Sequence, residues 1–248
     1  NETQRGSAVS RNRIESVADR FHKDGAYFEC DRKELLSLLP ATVHRVLDIG
    51  CGGGKSWEGF AGEVHGVEYD PESAEQARTR LVEVHVGDAQ KLTLPYADGF
   101  FDCIVFADVL EHLYDPWGTV LRLRPLISPG GYVLISLPNI RYYKVLKSLV
   151  LKGDFSYERS GVMDIDHVRF FARRNVEWLL TETGFAIERW SGMQRGSSKY
   201  RLLNRVLFGG IDDFLTKQFY VLARQQPDWK PPVAPAKGHA KGSVPEVR

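Results

Sequence analysis

The stretch Val46-Leu47-Asp48-Ile49-Gly50-Cys51-Gly52-Gly53-Gly54 joins a short aliphatic run to four glycines. Such a run, stopped abruptly by glycine, predicts a β-strand. Glycines directly after a strand allow a tight turn and let a ligand approach the backbone closely. We therefore expect this loop to hold part of a nucleotide-like ligand at the end of the strand.

Beyond this loop, aliphatic runs alternate with segments that carry helix start and stop signals. Strands are predicted over residues 45–49, 64–69, 82–86, 101–106, 132–137, 186–190 and 219–223. Helices are predicted to begin near Lys55, at Pro71 (ending at Leu81), at Asp115-Pro116 (ending at Pro129-Gly130-Gly131) and at Arg173 (ending at Thr183). This βαβ alternation predicts an α/β, Rossmann-like fold, a mainly parallel seven-stranded sheet with helices on both faces.

The sequence predicts one domain with two insertions. Residues 1–25 are expected to form a flexible N-terminal segment, residues 26–226 the domain, and residues 227–248 a disordered tail rich in Pro and Lys. Two segments, at about 140–171 and 192–216, do not fit the count of strands and helices. Insertions near the carboxyl ends of strands lie over the ligand crevice of such sheets, so we expect them to form a cap in the C-terminal half.

Composition argues against several classes of protein. The 248 residues carry a formal net charge of +1, which does not indicate a nucleic-acid-binding surface. The three cysteines, Cys30, Cys51 and Cys103, form no CxxC pair, which argues against a disulfide framework or a zinc site and favours a reducing compartment. No apolar run approaches the roughly 20 residues of a membrane span. We expect a cytoplasmic protein, and the oligomeric state is left open.

Two nucleotide-binding motifs come close to matching the glycine loop. A dinucleotide favours G-x-G-x-x-G, but Lys55 occupies the third glycine position. A nucleoside triphosphate (NTP) favours G-x-x-x-x-G-K-S, which Gly54-Lys55-Ser56 matches, but Ile49 occupies the first glycine position. Because both motifs miss by one residue, the loop alone does not decide between them.

Charge separates the alternatives. Asp48, Glu68, Asp88 and Asp108 lie at or just after the ends of the first four predicted strands. Four carboxylates around one crevice would repel phosphates, whereas S-adenosylmethionine (SAM) has no phosphate and carries a positively charged sulfonium. Glu68 suits the two ribose hydroxyls and Asp88 the adenine amino group. The glycine loop, at the predicted helix N-terminus near Lys55, suits the methionine carboxylate.

Five motifs, in order, resemble those of class I SAM-dependent methyltransferases. They are Asp48-x-Gly50-x-Gly52-x-Gly54, Gly66-Val67-Glu68, Gly87-Asp88-Ala89, Phe101-Asp102-x-Ile104-Val105 and Ser128-Pro129-Gly130-Gly131, and they span roughly residues 43–137. The resemblance implies that SAM is the cofactor and that the chain transfers its methyl group. The cofactor-binding residues that it implies are Asp48, Gly50, Cys51, Gly52, Glu68, Tyr69, Asp88, Ala89, Phe106 and Asp108.

The candidates for the acceptor side are His112, His167 and Asp166. An oxygen nucleophile needs to lose its proton, and a histidine with a pKa near neutrality can accept it. His112 follows the fourth strand and so lies at the mouth of the crevice; a packing or capping role for His112 and a loop role for His167 stay open. Asp164, Asp166 and His167 are a weak candidate for a divalent-metal site, and no metal site is predicted.

A second resemblance concerns the C-terminal half. Leu137-Pro138-Asn139 and Asp166-His167-Val168-Arg169-Phe170-Phe171, followed by a helix to Gly184-Phe185, are similar to a branch of methyltransferases linked to glycan and surface-polysaccharide biosynthesis. That resemblance implies a sugar hydroxyl as the acceptor. Another small molecule, such as a phenol, an amine or a lipid precursor, stays open, as do a P-loop-like NTP-binding protein and a non-catalytic SAM-binding module.

Charge in the predicted cap adds a hint about the acceptor. Residues 141–205 contain thirteen Lys or Arg and seven Asp or Glu, a difference of +6. This excess suits an acidic or phosphate-linked small molecule or glycan. Lys144, Lys147 and Lys152 interleave with apolar residues, and such a basic amphipathic helix either contacts a membrane peripherally or packs on the core with its basic face solvated.

Overall fold

The computed structural model describes residues 32–194 and 211–231. The strands within them are β1 (Arg45–Ile49), β2 (Glu63–Glu68), β3 (Glu83–Val86), β4 (Phe101–Ala107), β5 (Ile127–Pro138), β6 (Phe185–Gln194) and β7 (Thr216–Gln225). These strands form one seven-stranded sheet in the order β3-β2-β1-β4-β5-β7-β6. The first five pair in parallel, and β7 runs antiparallel between β5 and β6. The predicted mainly parallel sheet is confirmed.

Helices cover both faces of this sheet, as predicted. They are α1 (Lys33–Leu36), α2 (Pro71–Ala77), α3 (Pro116–Leu123), α4 (Tyr143–Lys152), α5 (Arg173–Glu182) and α6 (Asp212–Leu215), with 3-10 turns at Lys55–Trp57, Leu110–His112 and Arg124–Leu126. Buried side chains form two apolar clusters, and successive residues of β1 and β4 alternate between them. The larger cluster takes in α3 and α5, and the smaller takes in α1 and α2.

The central strands explain where a ligand crevice opens. β1 and β4 are almost continuously apolar because both of their faces are covered. Asp102, a polar exception, accepts hydrogen bonds at 2.8 Å from the backbone N–H groups of His44 and Arg45, and so ties the start of β1 to β4. The chain leaves β1 towards β2 and β3 and returns to β4 on the other side of β1. Ligands bind at such a switch point, beyond the carboxyl ends of the strands.

The helix predicted near Lys55 is wrong. A single 3-10 turn takes its place, because glycines in the left-handed region flank it, Gly54 at φ +74° and Gly59 at φ +84°. The glycine loop therefore does not lead into a helix long enough to offer a macrodipole to a carboxylate. α2 is also shorter than predicted, since it ends at Ala77 rather than at Leu81.

β5 begins earlier than predicted. Its first residue is Ile127, so Pro129-Gly130-Gly131 lies inside the strand and not at the end of a helix. The register with β4 shifts between Phe101 and Cys103, whose partners are Ile127 and Tyr132. This irregularity accommodates a proline and glycines that would otherwise interrupt a strand.

Parts of the segments predicted as cap and tail lie within the described residues. Residues 140–171 contain α4 and an irregular segment, closed by a bridge between Asn139 and Phe171. In the other insertion, residues 192–194 belong to β6 and Thr216 begins β7, while 195–210 and the N-terminal segment 1–25 lie outside the described residues. Trp229, in the predicted tail, lies with its ring centroid 5.0 Å from the guanidinium of Arg124. None of the described helices is long and apolar enough to cross a membrane.

Candidate functional site

A cleft of about 360 Å³ opens at the carboxyl ends of β1 to β4. This volume falls within the usual range for a small-molecule site. The residues that line it are Ile49, Gly50, Val67, Glu68, Tyr69, Gly87, Asp88, Ala89, Gln90, Asp108, Val109, His112 and Leu113. The fold thus brings together Gly50, Glu68, Tyr69, Asp88, Ala89 and Asp108 from the predicted cofactor site, with His112 from the predicted acceptor side.

The glycine loop is fixed by its contacts with β2 and with the loop after β4. The backbone N–H of Gly50 donates to the carbonyl of Val67 at 2.7 Å, and that of Gly52 donates to Glu68 Oε2 at 2.7 Å. Gly50 has φ +70°, and a Cβ there would lie 2.6 Å from Cγ2 of Val109. Only glycine fits this position without strain, so the backbone itself forms this wall of the cleft.

The Glu68 carboxylate is buried and already held by three backbone donors. Besides Gly52, the N–H groups of Tyr69 and Asp70 donate to Oε1 at 2.8 and 2.9 Å. A carboxylate has about four acceptor positions, so roughly one remains for a ligand. Glu68 can therefore accept from one ribose hydroxyl as it stands, and accepting from both, as predicted, requires one backbone bond to open.

Asp88 lies on the opposite wall, beside Ala89. Its Oδ1 accepts from the backbone N–H of Gln90 at 2.9 Å, and its Oδ2 lies 3.1 Å from Lys91 Nζ. The hydrogen bond from Gln90, helped by the Lys91 ammonium, holds the pKa of Asp88 below its ordinary value. The side chain is therefore an ionised acceptor at neutral pH.

Asp108 is held by strands that sequence reasoning did not connect with it. Its backbone has φ +57°, an uncommon conformation for a residue other than glycine. Its N–H donates to Ser136 Oγ at 3.0 Å, and Oδ1 accepts from that hydroxyl at 2.9 Å and from the amide of Gln218. Ser136 on β5 and Gln218 on β7 thus orient the carboxylate at the edge of the cleft. The residues are 28 and 110 positions from Asp108, and no local motif in the sequence links them.

Three predicted cofactor residues lie behind the cleft. Asp48 is 1% exposed and accepts from Trp57 Nε1 at 2.7 Å, with Arg32 Nη1 at 3.8 Å. Burial raises the pKa of Asp48, while Arg32 and the Trp57 hydrogen bond oppose that shift. Cys51 is buried, which raises the pKa of its thiol, and Phe106 packs in the larger apolar cluster. Their placement supports the loop and the sheet from beneath.

The acceptor-side candidates meet next to this cleft. The rings of His112 and His167 lie 4.8 Å apart between centroids. His112 Nδ1 lies 3.1 Å from the backbone carbonyl of Asp166, whose own side chain is exposed. The structure therefore brings all three together, with Asp166 contributing its carbonyl oxygen to His112.

Glu111 is a residue of this group that sequence reasoning missed. It is 1% exposed, and its Oε1 lies 3.9 Å from His167 Nε2. Its backbone carbonyl accepts from the N–H groups of Val168 and Arg169 at 3.0 and 2.9 Å, which joins the turn after β4 to the segment that carries His167. The adjacent pair Glu111-His112 after a buried strand was the available signal.

A second cavity, of about 370 Å³, lies in the predicted cap. It is lined by Tyr142, Lys144, Val145, Ser148, Asp154, Phe155, Ser156, Glu158, Val162, Met163 and Lys217. Asn139 holds this region to the sheet, because its buried amide donates to the carbonyl of Thr216 at 2.9 Å and its Oδ1 accepts from the N–H of Arg141. The Leu-Pro-Asn motif thus joins the cap to β7.

Comparison with known proteins agrees with this architecture. A family described as "Methyltransferase domain" matches residues 20–189. The "Ubiquinone biosynthesis O-methyltransferase" of Aromatoleum aromaticum is 30% identical over 158 residues, which cover 60% of this chain and 67% of that protein. The protein of the same name from Thiobacillus denitrificans is 29% identical over 164 residues, 62% and 69% of the two chains. A SAM-dependent methyltransferase structure from Archaeoglobus fulgidus shares the fold with a TM-score of 0.58 at 15% identity, over 86% of this chain and 99% of that one.

Proposed function

The chain belongs to the family of methyltransferase domains and is a SAM-dependent methyltransferase, and from this premise we propose that it methylates a hydroxyl oxygen of a small-molecule acceptor. The observation that carries this proposal is the position of His112, which lines the cofactor cleft and lies beside His167. A hydroxyl must lose its proton to become a good nucleophile, and imidazole is the side chain suited to taking it near neutral pH.

The residues of the cleft fit SAM. When bound, SAM supplies a methyl group on a sulfonium, which is already a good leaving group. Glu68 and Asp88 offer carboxylate acceptors on two walls, suited to a ribose hydroxyl and to the adenine amino group. Gly50 leaves space where any side chain would meet Val109. Asp108, at the edge of the cleft, adds the negative charge that favours a cation.

The same features disfavour a triphosphate-binding loop. Three carboxylates line the cleft, and they would repel phosphates. Lys55 begins a 3-10 turn and not the helix whose N-terminus a phosphate-binding loop uses.

For the acceptor, we propose a sugar hydroxyl. The cavity in the cap supports this, because Tyr142, Ser148, Asp154 and Glu158 can hydrogen-bond to several hydroxyls at once. Lys144 and Lys217 line the same cavity and suit a phosphate-linked sugar. The C-terminal motif that resembles glycan-linked methyltransferases points the same way.

A phenolic hydroxyl is the second candidate. Both relatives described above are named ubiquinone biosynthesis O-methyltransferases. Val145, Phe155, Val162 and Met163 give the cap cavity an apolar part that would accommodate an aromatic ring.

A methyl-transfer screen with isotopically labelled SAM tests this proposal. Nucleotide sugars, lipid-linked glycans and phenols are offered in parallel, and we expect label in an alkali-stable ether of one class. In the active assay, His112→Ala, which removes the proposed base, should lower kcat by roughly 10²-fold or more. Binding of S-adenosylhomocysteine (SAH) by this variant verifies that the cleft is intact. His44→Ala is the matched control, because His44 is an exposed histidine at the opposite ends of the strands, and it should leave kcat unchanged. Tight SAH binding with no transfer to any class would instead support a non-catalytic SAM-binding module.

A further inference from the structure

Three side chains with metal-ligand chemistry converge beside the cofactor cleft. One carboxylate oxygen of Glu111 and one ring nitrogen each of His112 and His167 lie within 4.8 Å of one another. Glu111 and His112 belong to the turn after β4, while His167 comes from a segment more than fifty residues later. The backbone hydrogen bonds from Val168 and Arg169 to the Glu111 carbonyl hold the two segments in register.

Both rings are oriented as metal-ligating histidines are. His112 Nδ1 lies 3.1 Å from the carbonyl oxygen of Asp166, and His167 Nδ1 lies 3.2 Å from that of Val162. A carbonyl oxygen can only accept, so each Nδ1 carries a hydrogen, and in the neutral form of each ring Nε2 carries the lone pair. An Nδ1–H to carbonyl bond of this kind fixes the tautomer and direction of histidines that bind metal through Nε2.

The Glu111 carboxylate supplies the charge that two neutral imidazoles lack. Its Oε2 is fully buried and has no hydrogen-bond partner among the described residues, and the 3.9 Å from Oε1 to His167 Nε2 is too long for a hydrogen bond. Burial, with the negative charges of Asp108 and Asp164, raises the pKa of Glu111, and Arg32 opposes them. A buried carboxylate oxygen without a donor is costly, and a cation between these groups would remove that cost.

We propose that Glu111, His112 and His167 bind one divalent transition-metal ion. Two imidazoles and one carboxylate suit Zn²⁺, Fe²⁺ or Mn²⁺, whereas Mg²⁺ and Ca²⁺ prefer a shell of oxygens. Bonds of about 2.0–2.2 Å place tetrahedral ligand atoms about 3.4 Å apart, so the widest pair closes by about 1.4 Å on binding. His112, the partly exposed ligand at the cleft wall, makes this movement together with the Asp166 carbonyl that orients its ring.

The position of this site gives the ion a role in the reaction, and that role rests on the proposed function. His112 lines the cofactor cleft, so the ion lies at its wall, within reach of an acceptor. With the ion bound, His112 and His167 are ligands and the ion replaces the imidazole in activating the acceptor, because a hydroxyl bound to it has a lowered pKa and loses its proton to solvent. The oxygen then forms the O–C bond to the methyl group as the S–C bond breaks, and the bonding pair of that bond stays on sulfur.

The test measures metal binding without any acceptor. Tag-free, chelator-treated full-length chain is titrated with Zn²⁺ by calorimetry and with Co²⁺ by visible absorption, which reports the ligand geometry. We expect one ion per chain, and a Kd raised more than about tenfold in each of Glu111→Gln, His112→Ala and His167→Ala. His44→Ala, which removes an exposed histidine outside the cluster, should bind the ion as the wild type does.

Several outcomes separate this inference from the proposed function. The metal site would be overturned if the wild type bound no ion stoichiometrically, or if Glu111→Gln and His167→Ala bound the ion as tightly as the wild type does. Glu111→Gln keeps the size of the side chain, and SAH binding by each variant verifies that it has folded. Methyl transfer that persists in chelated, ion-free protein would overturn the role of the ion. Ion binding at this site in a protein that methylates no hydroxyl compound would refute the proposed function and leave the site standing.

Discussion

Gly50 lies where the loops after β1 and β4 meet, at the switch point of the sheet. Its φ of +70° belongs to the left-handed region, and its Cα faces Cγ2 of Val109 with no room for a Cβ. Gly59 has a similar φ of +84°, but no heavy atom lies within 4 Å of the position of its Cβ. Comparing substitutions at Gly50 and Gly59 therefore separates the cost of backbone strain, which both share, from the cost of a side chain at the cleft wall, which only Gly50 has.

Gly50→Ala is expected to lower both stability and cofactor affinity. The left-handed backbone alone costs roughly 1–2 kcal/mol of unfolding free energy, and Gly59→Ala should show that cost with SAH affinity unchanged. Gly50→Ala should show it together with a weaker Kd for SAH, because the loop must move away from Val109. Urea denaturation and calorimetry measure the two effects. Wild-type SAH affinity in Gly50→Ala would show that this glycine serves only the turn.

Some site residues were predictable from the sequence, and others were not because their hydrogen-bond partners are distant in the sequence. Gly50, Glu68 and Asp88 are predictable because each lies at or just after the end of a strand, and parallel strands bring such positions to one edge. Ser136 and Gln218, which orient Asp108, are not, because side chains on neighbouring strands meet only once the sheet order is known. Since no sequence signal states that order, the network around Asp108 came from the structure.

At the scale of the elements, the strand and helix types were predictable and several boundaries were not. Each of the seven predicted strands overlaps one strand of the sheet, and α3 begins after Asp115 as its Asp-Pro signal predicts. The helix near Lys55 failed because the stretch after the loop is bounded by left-handed glycines. The start of β5 failed because Ile127 already pairs with Phe101, and Pro129-Gly130-Gly131 fall in the register shift that follows, as an irregularity within the strand.

The N-cap of α3 gives a prediction at this scale. Asp115 Oδ1 accepts from the N–H of Gly118 at 2.9 Å, and α3 carries Val120 and Leu123 into the larger apolar cluster. Asp115→Ala should lower the free energy of unfolding by about 1 kcal/mol, because an N–H of the first turn loses its acceptor. Asp98→Ala, which removes an exposed carboxylate from the turn before β4, should leave it unchanged. Equal urea midpoints for both variants would show that the cap contributes nothing.

At the scale of the whole molecule, the sheet and the cap each contribute one of the two cavities. The carboxyl ends of β1 to β4 form the cleft proposed to hold the cofactor, and the segment between β5 and α5, with Lys217 of β7, lines the second cavity. The turn Leu110–His112 and the segment around His167 lie where these two parts meet. His167 links the two, since its Nδ1 lies 3.2 Å from the carbonyl of Val162 in the cavity and its ring lies beside His112 in the cleft, so we expect the acceptor and the methyl group to meet there. None of the residues of α4 is buried. That this helix contacts a membrane peripherally stays a prediction.

The central claim is that carboxylates at the strand ends bind SAM in this cleft, and the affinity of Asp88→Ala for SAH tests it most directly. Calorimetry should give a Kd about 10- to 100-fold weaker than that of the wild type, since a hydrogen bond to a charged group contributes roughly 1.5–3 kcal/mol. Asp98→Ala serves as the matched control and should bind as tightly as the wild type. Equal affinity of Asp88→Ala and the wild type, or no binding of SAH by the wild type, would contradict the account.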